Sequence, residues 1–414
     1  MKDHVFHPES LMMSHGYRPE WSEGAIKCPI FQTSTFVFPT AEQGKAHFEV
    51  AYGLRNRRDN EQEGLIYSRI NNPDLEILEN RLAIWDNAEA CAVFESGMGA
   101  ITTVLLEFLQ PGDLLLHSTP LYGGSDHFIR HILPRFGIRT QEFHPGDTEE
   151  QLIAQVQTSG ERLAMVFVET PANPTNALYD LQACRAVADH FSSPERRVLV
   201  AVDNTYMGPL WQHPIRWGAD FSIYSATKYI GGHSDVIAGA VCGSQQHLQR
   251  LKALRTFLGN MAGPWTGWLL LRSLETLHVR MERQAATAAH VARFLREHPS
   301  VEQVHYLGFL DPEKDARQYD IFRRQCTSAG AMLAFDVKGG EEAAFRVLNR
   351  LKLVKLAVSL GSTESLAQHP DTMTHAGVAL AHKRALGITP GMIRLSVGVE
   401  HPEDLIWDLQ QALS

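Results

Sequence analysis

The stretch that decides the fold is FSIYSATKYIGGHSD, residues 221–235. An apolar run leads into Ser225, Thr227 and Lys228, and a glycine turn follows, which predicts a buried strand that ends in a loop. A lysine just beyond a buried strand can lie in a partly desolvated cleft, where its ammonium pKa would fall and the neutral amine could condense with an aldehyde. Ser225 and Thr227 alternate along the strand, so both hydroxyls can face one side and hydrogen-bond a phosphate. Alone, the pattern also fits a surface lysine.

Further apolar runs on both sides of this stretch have the lengths of buried strands. Residues 75–90 have apolar residues at helical spacing, and the helix-like segments 98–109 and 181–191 separate several of the predicted strands. Continuous apolar strands separated by helices predict an α/β fold with a mainly parallel sheet covered on both faces. The predicted strands are 114–118, 164–170, 198–204, 221–227 and 236–243. Ligands of such sheets bind at the carboxyl ends of the strands.

The C-terminal part has a different pattern. Residues 269–299 predict one long helix or two, and Pro402 with acidic residues after it predicts a closing helix over 402–414. With strand-like runs at 331–339 and 393–400, this part reads as a smaller α+β domain. The first 70 residues show no strong period. We therefore predict an N-terminal arm (1–70), a large domain (71–278) and a small domain (279–414).

Composition excludes several classes of function. The chain has 414 residues and a formal charge of −9, which argues against nucleic acid or an anionic membrane as partner. Its start has no apolar signal region, and no apolar run approaches the ~18 residues of a membrane span. Five cysteines without a C-x-x-C pair suggest reduced thiols in the cytoplasm. Twenty histidines include no H-E-x-x-H motif, so we expect no metal site.

A carboxylate stands at the end of another predicted strand. Asp203 closes the apolar run of VLVAVDNTY, residues 198–206. A buried carboxylate needs a cationic partner, and a protonated pyridine nitrogen is a good one, since keeping that proton makes the ring an electron sink. The alternative is an aspartate that caps the next segment.

A glycine-rich turn, ESGMGA (95–100), follows the strand-like CAVF and opens a helix. The backbone N–H groups of Ser96, Gly97 and Met98, together with the positive helix end, could cradle a phosphate. An isolated S-G-x-G is also a common loop, so the prediction of a phosphate site depends on the position of this turn directly after a strand.

Two further strand ends carry suitable side chains. Tyr122, in LYGGS, is placed to stack on a flat ring, and Asn173, between two prolines, could hydrogen-bond a ring hydroxyl. Each alone fits a packing aromatic or a turn residue. Together, five such elements at one sheet edge predict pyridoxal 5′-phosphate (PLP) bound to Lys228 as an internal Schiff base.

Several segments carry a specific resemblance that covers nearly the whole chain. They are YSRINNP (67–73), ESGMGA (95–100), LYGG (121–124), PANPTN (171–176), VDNTY (202–206), YSATKYIGGHSD (224–235), SLGSTESLAQHPDTMTH (359–375) and GMIRLSVGVE (391–400). They resemble the Cys/Met-metabolism family of PLP-dependent enzymes, which contains γ-synthases, γ-lyases and sulfhydrylases. The resemblance implies a fold type I aminotransferase-like architecture and a homotetramer in which two subunits share each active site.

The resemblance also implies residue roles. It makes Lys228 the Schiff-base lysine and proton shuttle, and Tyr122 the ring-stacking residue that assists the leaving group. It implies that Tyr67 and Arg69 reach across the subunit interface and bind the PLP phosphate in the active site of the neighbouring subunit.

By the same resemblance, Asp203 pairs with the pyridine nitrogen. The predicted phosphate contacts are Gly97, Met98, Ser225 and Thr227. The expected ligands of the substrate α-carboxylate are Arg394, Ser359 and Asn173.

The function implied is γ-elimination on a γ-substituted L-amino acid such as methionine, canavanine or an O-acylhomoserine. The alternative is γ-replacement, as by an O-acylhomoserine sulfhydrylase or a cystathionine γ-synthase. A non-catalytic scaffold is a third hypothesis, which the complete set of Lys228, Asp203, Tyr122 and Arg394 opposes.

The chain departs from the branches of the family near the substrate. Val358 replaces the glutamate of cystathionine-handling members, and His127 stands where they tend to have an arginine. Gly124 replaces the cysteine of methionine γ-lyases, and Gly259 and Asn260 replace their lysine–aspartate pair. An apolar Val358 favours an uncharged distal group on the substrate.

Overall fold

The computed structural model describes residues 4–58, 64–378 and 380–414, with only the backbone of residue 382. Its larger sheet has seven strands. They are β1 (Ala90–Phe94), β2 (Asp113–Ser118), β3 (Arg139–Phe143), β4 (Arg162–Glu169), β5 (Leu199–Asp203), β6 (Phe221–Ser225) and β7 (Gly239–Gly243). The smaller sheet has five strands: β8 (Val301–His305), β9 (Met332–Val337), β10 (Lys355–Leu356), β11 (Leu366–Gln368) and β12 (Met392–Ser396).

The larger sheet has the strand order β1-β7-β6-β5-β4-β2-β3. Strands β3, β2, β4, β5 and β6 pair in parallel, and β7 is antiparallel to both β6 and β1. The mainly parallel α/β sheet is therefore confirmed. Because β1 and β6 both run against β7, β1 points the same way as the central strands. The carboxyl ends of β1, β2, β4, β5 and β6 thus lie at one edge.

The helices surround the two sheets. They are α1 (Pro8–Leu11), α2 (Ala41–Ala51), α3 (Pro73–Asp86), α4 (Gly97–Phe108), α5 (Gly123–His127), α6 (Glu149–Ser159), α7 (Leu181–His190), α8 (Gly208–Trp211), α9 (Gln245–Leu258), α10 (Pro264–Leu274), α11 (Leu277–Glu297), α12 (Ala316–Gln325), α13 (Gly340–Arg350), α14 (Leu380–Ala385) and α15 (Pro402–Leu413). The region predicted as one or two helices forms two, α10 and α11. The closing helix α15 begins at Pro402, as predicted.

Strand β4 shows why the larger sheet is covered on both faces. Its side chains alternate between two apolar clusters, with Met165 and Phe167 in one and Val166 and Val168 in the other. All four are fully buried. Burial of such a side chain contributes about 1.5–3 kcal/mol, so a continuous apolar strand stabilises both layers at once.

Some elements differ from the sequence prediction. Strand β3 was not predicted, because four of its five residues, RTQE of RTQEF, are polar and it lies at the sheet edge. The helix predicted over 75–90 ends at Asp86, since Asn87 takes a left-handed conformation with φ of 53°. Helix α2 lies within the predicted irregular arm. The Thr40 side chain caps the N-terminus of this helix by accepting a hydrogen bond from the Gln43 N–H.

The division into arm and two domains stays a prediction. The two sheets fall on either side of residue 279, and the predicted arm contains residues 1–3 and 59–63, which lie outside the described residues. Within the described ranges, no helix is both long and apolar enough to cross a membrane.

Candidate active site

The carboxyl edge of the larger sheet carries the predicted chemical side chains. Asp203 ends β5, Lys228 follows β6, and Asn173 follows β4. The turn into α4 follows β1, and Tyr122 follows β2. The smaller sheet reaches the same place, because Arg394 lies on β12 and Ser359 precedes β11.

Lys228 lies at the centre of this arrangement. Its Nζ donates to Ser359 Oγ at 2.7 Å. Burial, together with the charge of Arg394, lowers the pKa of Lys228 to about 8, against the opposing effect of Asp203. Near neutral pH the side chain therefore has a much larger fraction of nucleophilic neutral amine than an exposed lysine.

Arg394 is 3% exposed and lies between the two sheets. Its guanidinium donates to Asn173 Oδ1 at 3.1 Å and to the backbone carbonyl of Ser359 at 2.6 Å. Tyr206 Oη also donates to Asn173 Oδ1, at 3.3 Å. This chain of contacts brings together the three residues predicted for the substrate carboxylate.

Ser359 has a φ of 93°, which a non-glycine residue rarely adopts. Such a conformation costs about 1–3 kcal/mol and persists when surrounding contacts hold it. Here the Lys228 amine holds the side chain and Arg394 holds the carbonyl. The strain marks Ser359 as a constrained residue of the site.

Asp203 is 6% exposed, and burial raises the pKa of its carboxyl. Its Oδ1 accepts the Thr205 N–H at 3.0 Å, and the charge of Lys228 opposes the effect of burial. A buried carboxylate at the edge of a cleft fits a cationic ring nitrogen as its partner. Thr205, the fourth residue of VDNTY, is a site residue that was not predicted from the sequence.

Glu169 is a second buried carboxylate that the sequence analysis missed. It ends β4 and pairs in register with Asp203. Its Oε2 accepts the Tyr122 N–H at 2.6 Å. Burial, followed by the charge of Asp203, raises the pKa of Glu169 to about 8. A charged residue at the end of an apolar strand, the signal used for Asp203, was also present here.

The turn into α4 has the geometry of an anion cradle. A Cβ added to Gly97 would lie 2.8 Å from Ser225 Cβ, so only glycine allows β6 to approach the helix so closely. The N–H groups of Gly97 and Met98 belong to the first helical turn, where no intrahelical acceptor exists. These residues fit the phosphate of PLP.

Two predicted phosphate ligands have additional tasks. The Ser96 hydroxyl accepts the Gly99 N–H at 2.9 Å and caps α4. The Thr227 hydroxyl donates to the Ala238 carbonyl at 3.2 Å and accepts the Ala238 N–H at 3.0 Å. Both hydroxyls therefore help to fix the backbone around the cradle.

Tyr122 is 47% exposed, and its ring packs on α5. A Cβ added to Gly124 would lie 2.7 Å from Tyr122 Cε1 and 3.0 Å from Met98 Sδ. Gly124 therefore provides the space that the tyrosine ring occupies.

Tyr67 and Arg69 lie apart from this cluster. Arg69 donates to the Thr256 carbonyl at 2.8 Å, and its guanidinium lies 5.6 Å from the centroid of the Tyr67 ring. Tyr67 is 40% exposed. Among the described contacts, none joins this pair to Lys228 or Asp203 of the same chain.

The residues at which the chain departs from family patterns have different surroundings. Val358 is exposed beside Ser359, and the exposed His127 packs against His131 with ring centroids 4.8 Å apart. Asn260 donates to Thr103 Oγ1 at 2.9 Å, so its amide is directed at α4.

A profile described as Cys/Met metabolism PLP-dependent enzyme matches residues 9–414. The chain belongs to this family. Its members are PLP-dependent, so the prediction of PLP as the cofactor is confirmed, as is the fold type I architecture, whereas the attachment of PLP to Lys228 stays a prediction.

Relatives in the Cys/Met-metabolism family are similar over nearly their whole length. The L-methionine γ-lyase of Treponema denticola is 40% identical over 94% of this chain and 92% of its own. The human cystathionine γ-lyase is 36% identical over 99% of this chain and 94% of its own. A cystathionine γ-synthase structure from Xanthomonas oryzae pv. oryzae, in complex with aminoacrylate and cysteine, has a TM-score of 0.86. It is 31% identical and covers 99% of this chain and 98% of that one.

Proposed function

We propose that the chain catalyses γ-elimination on a γ-substituted L-amino acid, with Lys228 as the cofactor-binding and proton-transferring residue. The contact that carries the proposal is the one between Lys228 and Ser359, since the same serine accepts from Arg394 through its carbonyl. The Lys228 amine and the buried Arg394 guanidinium therefore both contact Ser359, as expected of groups that bind the Cα and the carboxylate of one amino acid.

Binding of the substrate falls to the small sheet and the loop after β4. Arg394 offers its guanidinium fork to the α-carboxylate, with the Asn173 amide beside it. On the cofactor side, Asp203 would pair with the ring nitrogen, and the turn at Gly97 and Met98 would hold the phosphate.

The cofactor supplies an electron sink for the carbanion that forms when the Cα proton leaves. Lys228 Nζ takes that proton, for which its lowered pKa is suited. Tyr122, which is 47% exposed, would stack on the ring, and its hydroxyl would donate a proton to the departing group at Cγ.

A substrate panel tests the function. Methionine, canavanine, O-acetylhomoserine and O-succinylhomoserine are incubated with the enzyme, with and without sulfide or cysteine, and 2-oxo acid, homoserine and thioether are quantified. We expect a 2-oxo acid without any added thiol. Amino-acid products formed only with an added thiol would contradict elimination.

The alternative is γ-replacement, by an O-acylhomoserine sulfhydrylase-like or cystathionine γ-synthase-like enzyme. The similarity to the Xanthomonas synthase structure supports it. The methionine γ-lyase relatives have higher identity than this synthase, 40% against 31%, and thus favour elimination.

Val358→Glu should raise kcat/KM for cystathionine about tenfold, because the carboxylate would meet the distal ammonium group of that substrate. Val358 is 56% exposed, so the longer side chain has room. Steady-state kinetics with cystathionine and methionine measure the change. Val358→Gln is the matched control, because glutamine has the size of glutamate but no charge. This variant should not gain activity on cystathionine. Equal kcat/KM values for cystathionine in both variants would exclude position 358 as a determinant of substrate specificity.

Gly124→Cys should lower kcat/KM, because the new Cβ would displace the Tyr122 ring or Met98. Overpacking costs about 1–3 kcal/mol, or roughly 5- to 150-fold. Gly124→Ala adds the same Cβ and should show a similar loss. Gly146→Ala, where nothing lies within 4 Å, is the control. Full activity of Gly124→Ala would mean that the position of the Tyr122 ring does not require the absence of a Cβ at residue 124.

We further propose a cytoplasmic homotetramer in which Tyr67 and Arg69 serve the neighbouring subunit. Their separation from Lys228 supports this, as do strongly exposed apolar side chains in the arm, Ile26, Val37 and Leu54. Five free cysteines suit a reducing compartment. Sedimentation of the loaded enzyme tests the assembly, and a monomer would contradict it.

A further inference from the structure

Two carboxylates stand side by side at the ends of β4 and β5. Glu169 and Asp203 are paired in register, and they are 5% and 6% exposed. Neighbouring strands lie about 4.8 Å apart, so both side chains project into the same small volume. The proposed function assigns a task to Asp203 only. Glu169 is therefore a buried titratable group without a role.

The contacts of Glu169 lead to Tyr122. Its carboxylate accepts the Tyr122 N–H, and its own N–H donates to Ser118 Oγ at 2.9 Å. Ser118 ends β2, whose following loop carries the tyrosine. Since Tyr122 makes no side-chain cap to α5, the bond from Glu169 fixes the peptide from which the ring projects.

We propose that Glu169 is a positioning residue that holds Tyr122 in place and adjusts the charge beside Asp203. The inference rests on the cofactor being bound at Lys228. Two adjacent buried carboxylates do not both ionise easily, so Glu169 keeps a proton while Asp203 is charged and unpaired. A cation beside Asp203 weakens this repulsion, which is the second cause of the raised Glu169 pKa after burial, so Glu169 ionises more readily when the cofactor is bound.

Other groups act on the Glu169 carboxyl as well. They are Arg394, Tyr179 and Tyr206, with Lys228 beyond Asp203. Burial raises the pKa of Glu169 to about 8, which places its titration within the working range of an enzyme. The positive charge of Arg394 opposes this shift.

The test uses the cofactor-loaded enzyme carrying Glu169→Gln or Glu169→Ala. Glutamine can still accept the Tyr122 N–H but cannot carry a charge. We expect both variants to shift the pH midpoint of the visible absorbance band downward by about 0.5–1 unit, because a negative charge near a cation is lost. Only Glu169→Ala should also lower kcat/KM, by about 10- to 100-fold, because Tyr122 loses its anchor.

Asp86→Asn is the matched control. Asp86 is fully buried, burial raises its pKa to about 6, and it accepts from Tyr224 rather than from the Tyr122 segment. Its band midpoint should equal that of wild type.

Two results would overturn the proposal: an unchanged midpoint in both Glu169 variants, or an equal kinetic loss in Glu169→Gln and Glu169→Ala. The band is read without substrate. A wild type that has the band but is inactive on the substrate panel would therefore contradict the proposed function alone.

Discussion

Lys228→Ala should remove the visible absorbance band of the cofactor-loaded protein and lower kcat by at least about 10⁴-fold. Proton transfer by a positioned group alone contributes about 10²–10⁴, and the covalent attachment is lost in addition. The loss follows from the position of Nζ, 2.7 Å from Ser359 Oγ between the two sheets. Absorbance after equilibration with PLP, and turnover of the best substrate, measure both effects.

The exposed Lys314 offers a control, Lys314→Ala, since among the described contacts none joins this lysine to Lys228, Ser359 or Arg394. It should keep the band and its bleaching by borohydride. A band that persists in Lys228→Ala would assign the attachment to another lysine. Circular dichroism should give the same secondary structure for both variants, because Lys228 is a loop residue.

Arg394→Ala should raise KM for the amino acid and lower kcat/KM. Removal of one partner of a buried, hydrogen-bonded charge pair costs about 2–5 kcal/mol, roughly 30- to 5,000-fold. Arg394 is 3% exposed, so the carboxylate loses its charged partner in a site that is largely shielded from bulk water. Steady-state kinetics separate KM from kcat, and the apoenzyme's affinity for PLP should change much less than KM.

Two comparisons make this prediction specific. Arg394→Lys keeps the charge without the bidentate fork and should recover only part of the loss. Arg283→Ala, an exposed arginine that donates to the Val399 carbonyl after the same strand, should have wild-type KM. An unchanged KM in Arg394→Ala would place the substrate carboxylate elsewhere.

The sequence predicted the strand ends of the site well. Each of the elements at Gly97, Tyr122, Asn173, Asp203 and Lys228 follows an apolar strand, and the structure places them all at one edge. A continuous apolar run with a polar residue at its end is a local signal, so it can be recognised without tertiary information.

Features that depend on distant residues could not be predicted from the residues alone. Ser359 and Arg394 reach Lys228 only because the small sheet docks on the large one. The left-handed conformation of Ser359 has no local cause in its sequence. The need for a residue without a Cβ at position 124 can be recognised only in the structure, where the Tyr122 ring and Met98 lie against Gly124.

The joint between the sheets also has a consequence for synthesis of the chain on the ribosome. The last strand of the larger sheet ends at Gly243, whereas Ser359 and Arg394 lie far downstream. The part of the chain that forms the larger sheet, with Asp203 and Lys228 at its edge, can therefore fold before Ser359 and Arg394, which would bind the amino acid, have been synthesised. Translation order thus separates the half of the site that retains the cofactor from the half that selects the substrate. A truncated chain would keep only the first.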